Sequence, residues 1–264
     1  MQILKSLHGR QLGLGPDGEL IVPSGKLILG EHGKQASVGS SQKVIWRDDF
    51  LGDALDTRWN VVEGTDSATS DAAILAAGIG GILRITTGDA GTGLAADLIQ
   101  LNLGILQFQA SNGGLAIEAR FKLSAITTCY GFFGFTDVAT LEAPIESAAA
   151  ANTLTTNATN AVGVMFDTRM STDNWWLVGV ASDVDATAQN SGYAPVADTY
   201  EVWRVEVNAA GKATFFRNGL QVGTQMSGAV TAAADLTPTI GFGKTSVAAS
   251  MTVDLDYIQV EMDR

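Results

Sequence analysis

Apolar and polar residues alternate with a period of two through most of this chain, and helical spacing is hard to find. In the run 115–123, Leu115, Ile117, Ala119, Phe121 and Leu123 take one side, and Glu118, Arg120 and Lys122 take the other. Successive side chains of a strand point to opposite faces, so this pattern predicts a half-buried β-strand. Further on, Trp203, Val205 and Val207 oppose Val202, Arg204 and Glu206 in the same way. A short turn at 209–212 follows, and then a segment carrying Asn218-Gly219, a strong hairpin signal. Residues 200–223 therefore predict three consecutive antiparallel strands. The last strand alternates through Met251, Val253, Leu255 and Tyr257, then switches parity to Ile258, Val260 and Met262. Either a bulge or cover on both faces explains that switch. Other strands are expected near 44–50, 82–87, 105–109, 128–135, 161–167 and 175–181, and the Ala-rich stretch 147–152 reads as a loop. Thirty glycines against five prolines suit many tight turns. No repeat of about 40 residues marks a propeller. The expected fold class is all-β, a two-sheet antiparallel jelly-roll sandwich preceded by an extended N-terminal β-arm.

Charge divides the chain unevenly. Residues 1–47 hold six basic residues (Lys5, Arg10, Lys26, Lys34, Lys43, Arg47) against Asp17, Glu19 and Glu31, a formal +3. The remainder holds ten basic residues against 25 acids, a formal −15. A small basic segment on a large acidic body reads as one part that docks and one that faces water. The leading segment has short apolar bites at Leu12 and Leu14, Leu20 to Val22, and Leu27 to Leu29, separated by turn formers. Strands of three or four residues are too short to bury themselves. They gain stability by adding to a sheet edge or packing on symmetry mates. We therefore expect an anchoring or oligomerisation arm over 1–43 and one sandwich over 44–264. The expected anchoring residues are Lys5, Arg10, Leu12, Leu14, Leu20, Val22, Lys26, Leu27, Leu29 and Lys34. A flexible tail is the alternative reading of the arm.

Several function classes are disfavoured by composition. A pI near 4.4 argues against sequence-independent nucleic-acid binding. No apolar run reaches the 18 residues of a membrane span. The opening MQILKSLHGRQ lacks the apolar core of a secretory signal, so nothing targets the chain for export. Cys129 is alone and sits in an apolar run, where it reads as a small hydrophobe, with synthesis in a reducing cytosol. Both histidines, His8 and His32, lie in the arm, so the body has no base for a Ser–His–Asp triad and no zinc set. Gly13 to Gly18 imitates a dinucleotide loop, but Pro16 follows the second glycine and no helix pattern comes after. Asp167 with Asp173 and Asn174, and Asp183 with Asp185, are oxygen-rich enough to be calcium candidates, against the simpler reading of solvated loops. No cofactor is expected. Trp175 and Trp176 are adjacent, so on a strand they face opposite ways: one fills the core, and the other is a candidate for exposure toward a sugar or partner, with packing as the plainer alternative.

Four segments together resemble a known family. Trp46-Arg47-Asp48-Asp49-Phe50 followed by Leu55-Asp56-Thr57-Arg58-Trp59 resembles the opening of concanavalin A-like (laminin G/glucanase-type) jelly rolls. The strand from Ile117 to Ser124 resembles another of the family's strands, and Trp203 to Val207 with Ala213 to Gly219 its late hairpin. Leu255 to Val260 looks like the final strand, which returns beside the first. The resemblance covers 44–264. Its flavour is similar to versions found in bacteriophage virion proteins, where an anchoring segment precedes a jelly roll on a capsid or tail; residues Gly9 to Leu20 look like such an anchor. Jelly-roll glucanases carry E-x-D-x-E on one strand face, and this chain has no such triplet. The nearest match, Asp254-Leu255-Asp256, would put two carboxylates on one face, where repulsion raises a pKa, but it reads more simply as a solvated strand face, as does Glu118. The resemblance implies a non-enzymatic virion structural protein: a capsid decoration or cement protein. It would be a homotrimer bound to the major capsid protein or another virion protein, on the outer surface of the particle, assembled in the host cytoplasm. A carbohydrate- or receptor-binding head or tail fibre protein, with a host surface glycan as ligand, is the alternative. A glycoside hydrolase is a third reading. Neither nucleic acid nor a membrane is an expected partner.

Overall fold

In a computed structural model the alternating segments become two large antiparallel sheets. The structure describes five short strands within residues 3–36, then residues 43–263 apart from 67, 77, 79, 149–152 and 247. Two units result, residues 1–43 and Val44–Asp263. In the first, β1 (Ile3–Leu7), β2 (Arg10–Leu14) and β3 (Leu20–Ile21) form a three-stranded sheet, and β4 (Leu27–Ile28) pairs with β5 (Gln35–Ala36). The side chains of the ten expected anchoring residues, Lys5 through Lys34, lie outside the described residues.

The second unit runs β6 (Lys43–Asp48), β7 (Asn60–Glu63), β8 (Asp71–Ile74), β9 (Leu83–Thr86), a helical turn α1 (Leu94–Asp97) and β10 (Ile99–Asn102). It continues with β11 (Gly114–Leu123), β12 (Cys129–Thr136), β13 (Ile145–Ser147), β14 (Leu154–Thr156), β15 (Asn160–Asp167) and β16 (Trp175–Ala181). Then come β17 (Val184–Asp185), β18 (Gln189–Asn190), β19 (Glu201–Asn208), β20 (Ala213–Arg217), β21 (Leu220–Met226), β22 (Thr237–Lys244) and β23 (Thr252–Asp263). One sheet has the order β21-β20-β19-β11-β23-β9-β8, with β6 also on β23. The other has the order β17-β16-β15-β12-β22-β10-β7, with β18 also on β16. The final strand lies beside the first, as the resemblance implied.

The first sheet follows the alternation closely. Leu115, Ile117, Ala119, Phe121 and Leu123 are buried, and Glu118, Arg120 and Lys122 are half-buried on the opposite face. In β23 the parity switch is a bulge: Arg120 pairs with Tyr257 and Phe121 with Leu255, so Asp256 is the extra residue. Val253 and Leu255 before it and Ile258 and Val260 after it all reach the core. Between the sheets Phe121 meets Phe133, Trp175 and Phe242 at ring-centroid distances of 5.8 Å, and Trp175 meets Trp203 at 5.6 Å. Each such side chain, once buried, contributes about 1.5–3 kcal/mol.

The second sheet hides its alternation because both of its faces are covered. Cys129, Phe133 and Phe135 point to the inter-sheet core, while Tyr130 and Phe132 join a second apolar cluster with Met165, Trp176, Val178 and Val180. Leu94, Leu98, Ala143, Ile145 and Ala158 cover that cluster. Both adjacent tryptophans are therefore buried, Trp175 at 1% and Trp176 at 6% exposure: the plainer reading, packing, holds for both, and neither is exposed toward a sugar or partner. The strand expected at 105–109 is also corrected. Gly104 takes a φ of 69° and ends β10, Ile105 and Leu106 are exposed, and only Phe108 makes a bridge, to Leu236. Part of the expected loop at 147–152 is strand: Ser147 closes β13, and 149–152 lie outside the described residues. The opening motif makes a corner: Asp48 accepts from Phe50 N at 2.8 Å and from Trp59 Nε1 at 2.9 Å, and the Trp46 and Trp59 rings sit 4.7 Å apart.

Candidate functional site

The outer face of the second sheet carries the best candidate site, a cleft built around a hairpin clipped onto the sheet. Asp167 ends β15 fully buried, and one of its oxygens accepts Ser147 N–H at 2.9 Å. The same carboxylate accepts Arg169 N, Nε and Nη2 at 2.9, 3.0 and 2.7 Å. Tyr130 donates its hydroxyl to Ile145 O at 2.9 Å, and its burial raises its pKa well above the ordinary value. These bonds hold β13 down. Ile145 and Ser147 face the sheet, so Glu146 faces away. Glu146 accepts Arg169 Nη2 at 2.7 Å and Asn157 Nδ2 at 3.3 Å. Arg169 is thereby a guanidinium between two carboxylates, and although burial alone would lower its pKa, the two acids raise it.

Two hollows flank Glu146. One, about 280 Å³, is lined by Leu94, Leu98, Leu141, Glu142, Ala143 and Asn157; the other, about 430 Å³, by Thr65, Thr92, Gly93, Ala96 and Arg169. Leu94, Ala95 and Glu146 line both. Glu142 stands at the rim with its pKa raised, first by partial burial and then by the charge of Glu146. The two shallow hollows have a mixed lining, with Leu94, Leu98 and Leu141 beside amide, hydroxyl and carboxylate groups. None of Glu142, Glu146, Asn157 and Arg169 stood out in the sequence. They come from three separate stretches, 142–146, 157 and 169, and no motif in the sequence joins them.

The residues singled out from the sequence fall elsewhere. Asp254 is 5% exposed rather than solvated, with Arg84 Nε and Nη2 at 2.7 and 2.9 Å and Lys122 Nζ at 3.3 Å. Asp256 pairs with Arg120, and Glu118 accepts from Tyr257 at 2.8 Å. Burial pushes the Asp254 pKa up, the Arg84 and Lys122 contacts push it down, and the net is a lowered value. A carboxylate depressed in this way adds stability above its unfolded pKa and loses that contribution as pH falls through its folded pKa. Carboxyl ¹³C titration is expected to place Asp254 below an ordinary aspartate and to move it upward in Arg84→Gln. An unchanged midpoint in that variant would show that the ion pair does not set it. Cys129 is fully buried, and burial pushes its thiol up to about 12, the condition of an inert thiol. Of the calcium candidates, Asp167 is consumed by Arg169 and Ser147, Asn174 donates to Asn190, and Asp183 and Asp185 are exposed at the β16–β17 turn. Among the described residues no group of three or more His, Cys, Asp or Glu is placed to hold a metal. No described helix is long and apolar enough to cross a membrane.

No protein-family model matches the chain, and no curated protein matches it in sequence. Solved structures do match its fold. A β-1,3-glucanase from Mycobacterium marinum superposes with a TM-score of 0.54 at 10% identity, covering 84% of this chain and 100% of that one. The catalytic domain of an endo-1,3-β-glucanase from Thermotoga petrophila RKU-1 gives 0.54 at 12% identity, covering 86% and 100%. The carbohydrate recognition domain of Emp47p gives 0.54 at 11% identity, covering 82% and 93%. The chain is thus similar in fold to two glucanases and a carbohydrate recognition domain, and its second unit has the two-sheet antiparallel sandwich of a jelly roll.

Proposed function

We propose that this chain is a non-enzymatic structural protein of a bacteriophage particle, a capsid decoration protein. In this reading residues 1–43 hold the chain to the major capsid protein or another virion protein and trimerise it, and the acidic sandwich is displayed outward. The observation that carries it is the division of charge, +3 over residues 1–47 and −15 beyond. Basic residues at the attachment end steer it toward an acidic surface, and contacts across subunit boundaries stabilise the shell by mass action. Removing residues 1–43 is expected to leave a folded sandwich that no longer occupies particles. Full occupancy by the truncated chain would overturn the reading.

A second reading has its own observation. The two hollows beside Glu146 have a mixed polar and apolar lining, and solved proteins of this fold include a carbohydrate recognition domain. Under it, the sandwich binds a host surface glycan, and binding on a glycan array is expected to fall about tenfold in Glu146→Gln, the loss of one charge-assisted hydrogen bond. Array binding that is absent, or indifferent to Glu146, removes this reading. The third reading, a glycoside hydrolase, is disfavoured by the missing E-x-D-x-E triplet; turnover of a β-glucan that vanishes in Asp254→Asn would revive it.

A further inference from the structure

The 280 Å³ hollow beside Glu146 differs from its neighbour in what its side chains offer. Among the described residues, Glu142 and Glu146 both line it and no cationic side chain does. Asn157 supplies its amide, and both donor N–H groups of that amide are spent, on Ala143 O at 2.9 Å and Glu146 Oε1 at 3.3 Å. The polar side-chain groups left over are acceptors: two carboxylates and the Asn157 carbonyl oxygen. The rest of the wall is apolar, with Leu94, Leu98 and Leu141.

Charge points the same way. Three carboxylates, Glu142, Glu146 and Asp167, stand around the one guanidinium of Arg169, a formal −2. Arg169 is bonded to Asp167 and Glu146, and among the described residues no ion pair reaches Glu142. Burial and the charge of Glu146 both push the Glu142 carboxyl up, as expected where no cation stands by. An ammonium has three donors and no acceptor, the converse of this lining, whereas a carboxylate would meet two more. The adjoining 430 Å³ hollow shares Leu94, Ala95 and Glu146 and adds the hydroxyls of Thr65 and Thr92, which both donate and accept. Resting on the glycan-binding reading, we propose that the hollow between Glu142 and Glu146 selects sugars bearing a free ammonium group over N-acetylated and carboxylate-bearing sugars. The ammonium lies against the two glutamates, the C–H face of the ring against the leucines, and the hydroxyls toward Thr65 and Thr92. Those two threonines favour a sugar over a lysine side chain, which has no hydroxyl to place there.

The full chain, titrated with a glucosamine disaccharide, its N-acetylated form and a uronate-bearing disaccharide, gives the test, read from the carboxyl ¹³C resonances of Glu142 and Glu146. The amine-bearing disaccharide is expected to bind about tenfold more tightly than the N-acetylated one, the size of a charge-assisted hydrogen bond, with the uronate weakest. Glu142→Gln is expected to remove about three- to fivefold of that preference, and Asp185→Asn, an exposed carboxylate at the β16–β17 turn, none of it. Equal losses in the two variants would mean attraction to the overall formal charge of −12 and overturn the proposal. An N-acetylated or uronate disaccharide that binds as well as the amine overturns it too, while the glycan-binding reading stands. Binding of Nα-acetyl-lysine amide as tight as that of the amino sugar shows that the hollow reads an ammonium and not a sugar, which also overturns it. If none of the three disaccharides binds, the glycan-binding reading falls and takes this inference with it.

Discussion

Asp167→Ala is expected to lower the stability of the sandwich by about 3–5 kcal/mol, the usual cost of breaking a buried ion pair from one side. The carboxylate is fully buried and accepts four hydrogen bonds, one from the backbone of Ser147 and three from Arg169. Its removal strips a half-buried guanidinium of its nearer acid and leaves it to Glu146 alone. It also leaves the Ser147 N–H, on a residue 2% exposed, without that acceptor. The β13–β14 hairpin would then be held by Tyr130 and the apolar contacts of Ile145. Asp167→Asn separates the two causes, because it keeps an acceptor for Ser147 and loses the charge facing Arg169; its cost should fall between wild type and alanine. Urea unfolding would measure this as a lower midpoint at unchanged slope. A cost under about 1 kcal/mol would mean that the clip is incidental and that the apolar cover holds the hairpin by itself.

Legibility differed between the two sheets for a physical reason. β11, β19 and β23 have one apolar face and one charged face, and alternation gave their extent, most of their facing residues and a parity switch in β23 that left a bulge or two-sided cover open; the structure makes it a bulge at Asp256, which turns Tyr257 to the outer face. β12, β15 and β16 are buried on both faces, so runs such as Cys129 to Phe135 carry no period, and only their length and β-branched or aromatic content mark them as strands. That second layer of cover is what buries Trp176 on the face opposite Trp175. β10 and β22 were missed because polar residues face the covered side: Gln100 and Asn102 reach the backbone of Val138 and Ala139, and Thr239 is fully buried. The cleft was illegible for a different reason. Glu142 and Glu146 meet Asn157 and Arg169 only through folding, with no motif spacing that links the three stretches, whereas the absence of histidine from the body could be read at once.

Gly134→Ala is expected to be the most damaging single-methyl change in the second sheet, at about 3 kcal/mol. Gly134 pairs with Gly163 on one side and Thr239 on the other. A Cβ there would lie 2.1 Å from Val162 O and 2.6 Å from Gly163 Cα, against backbone that has no rotamer by which to yield. The reverse change, Gly163→Ala, meets Phe133 O at 2.4 Å, so the two glycines make one close approach between β12 and β15. Accommodating a methyl means spreading the strands and lengthening ladder hydrogen bonds at the centre of the sheet. Gly219→Ala is the informative control. It sits in the β20–β21 turn at a φ of 79° with nothing within 4 Å of its would-be Cβ, so it bears only the cost of the left-handed backbone, about 1 kcal/mol. Thermal unfolding of the two variants should therefore separate them clearly. Equal, small shifts would show that β12 and β15 tolerate separation, and that their spacing is set by the apolar cover rather than by the paired glycines.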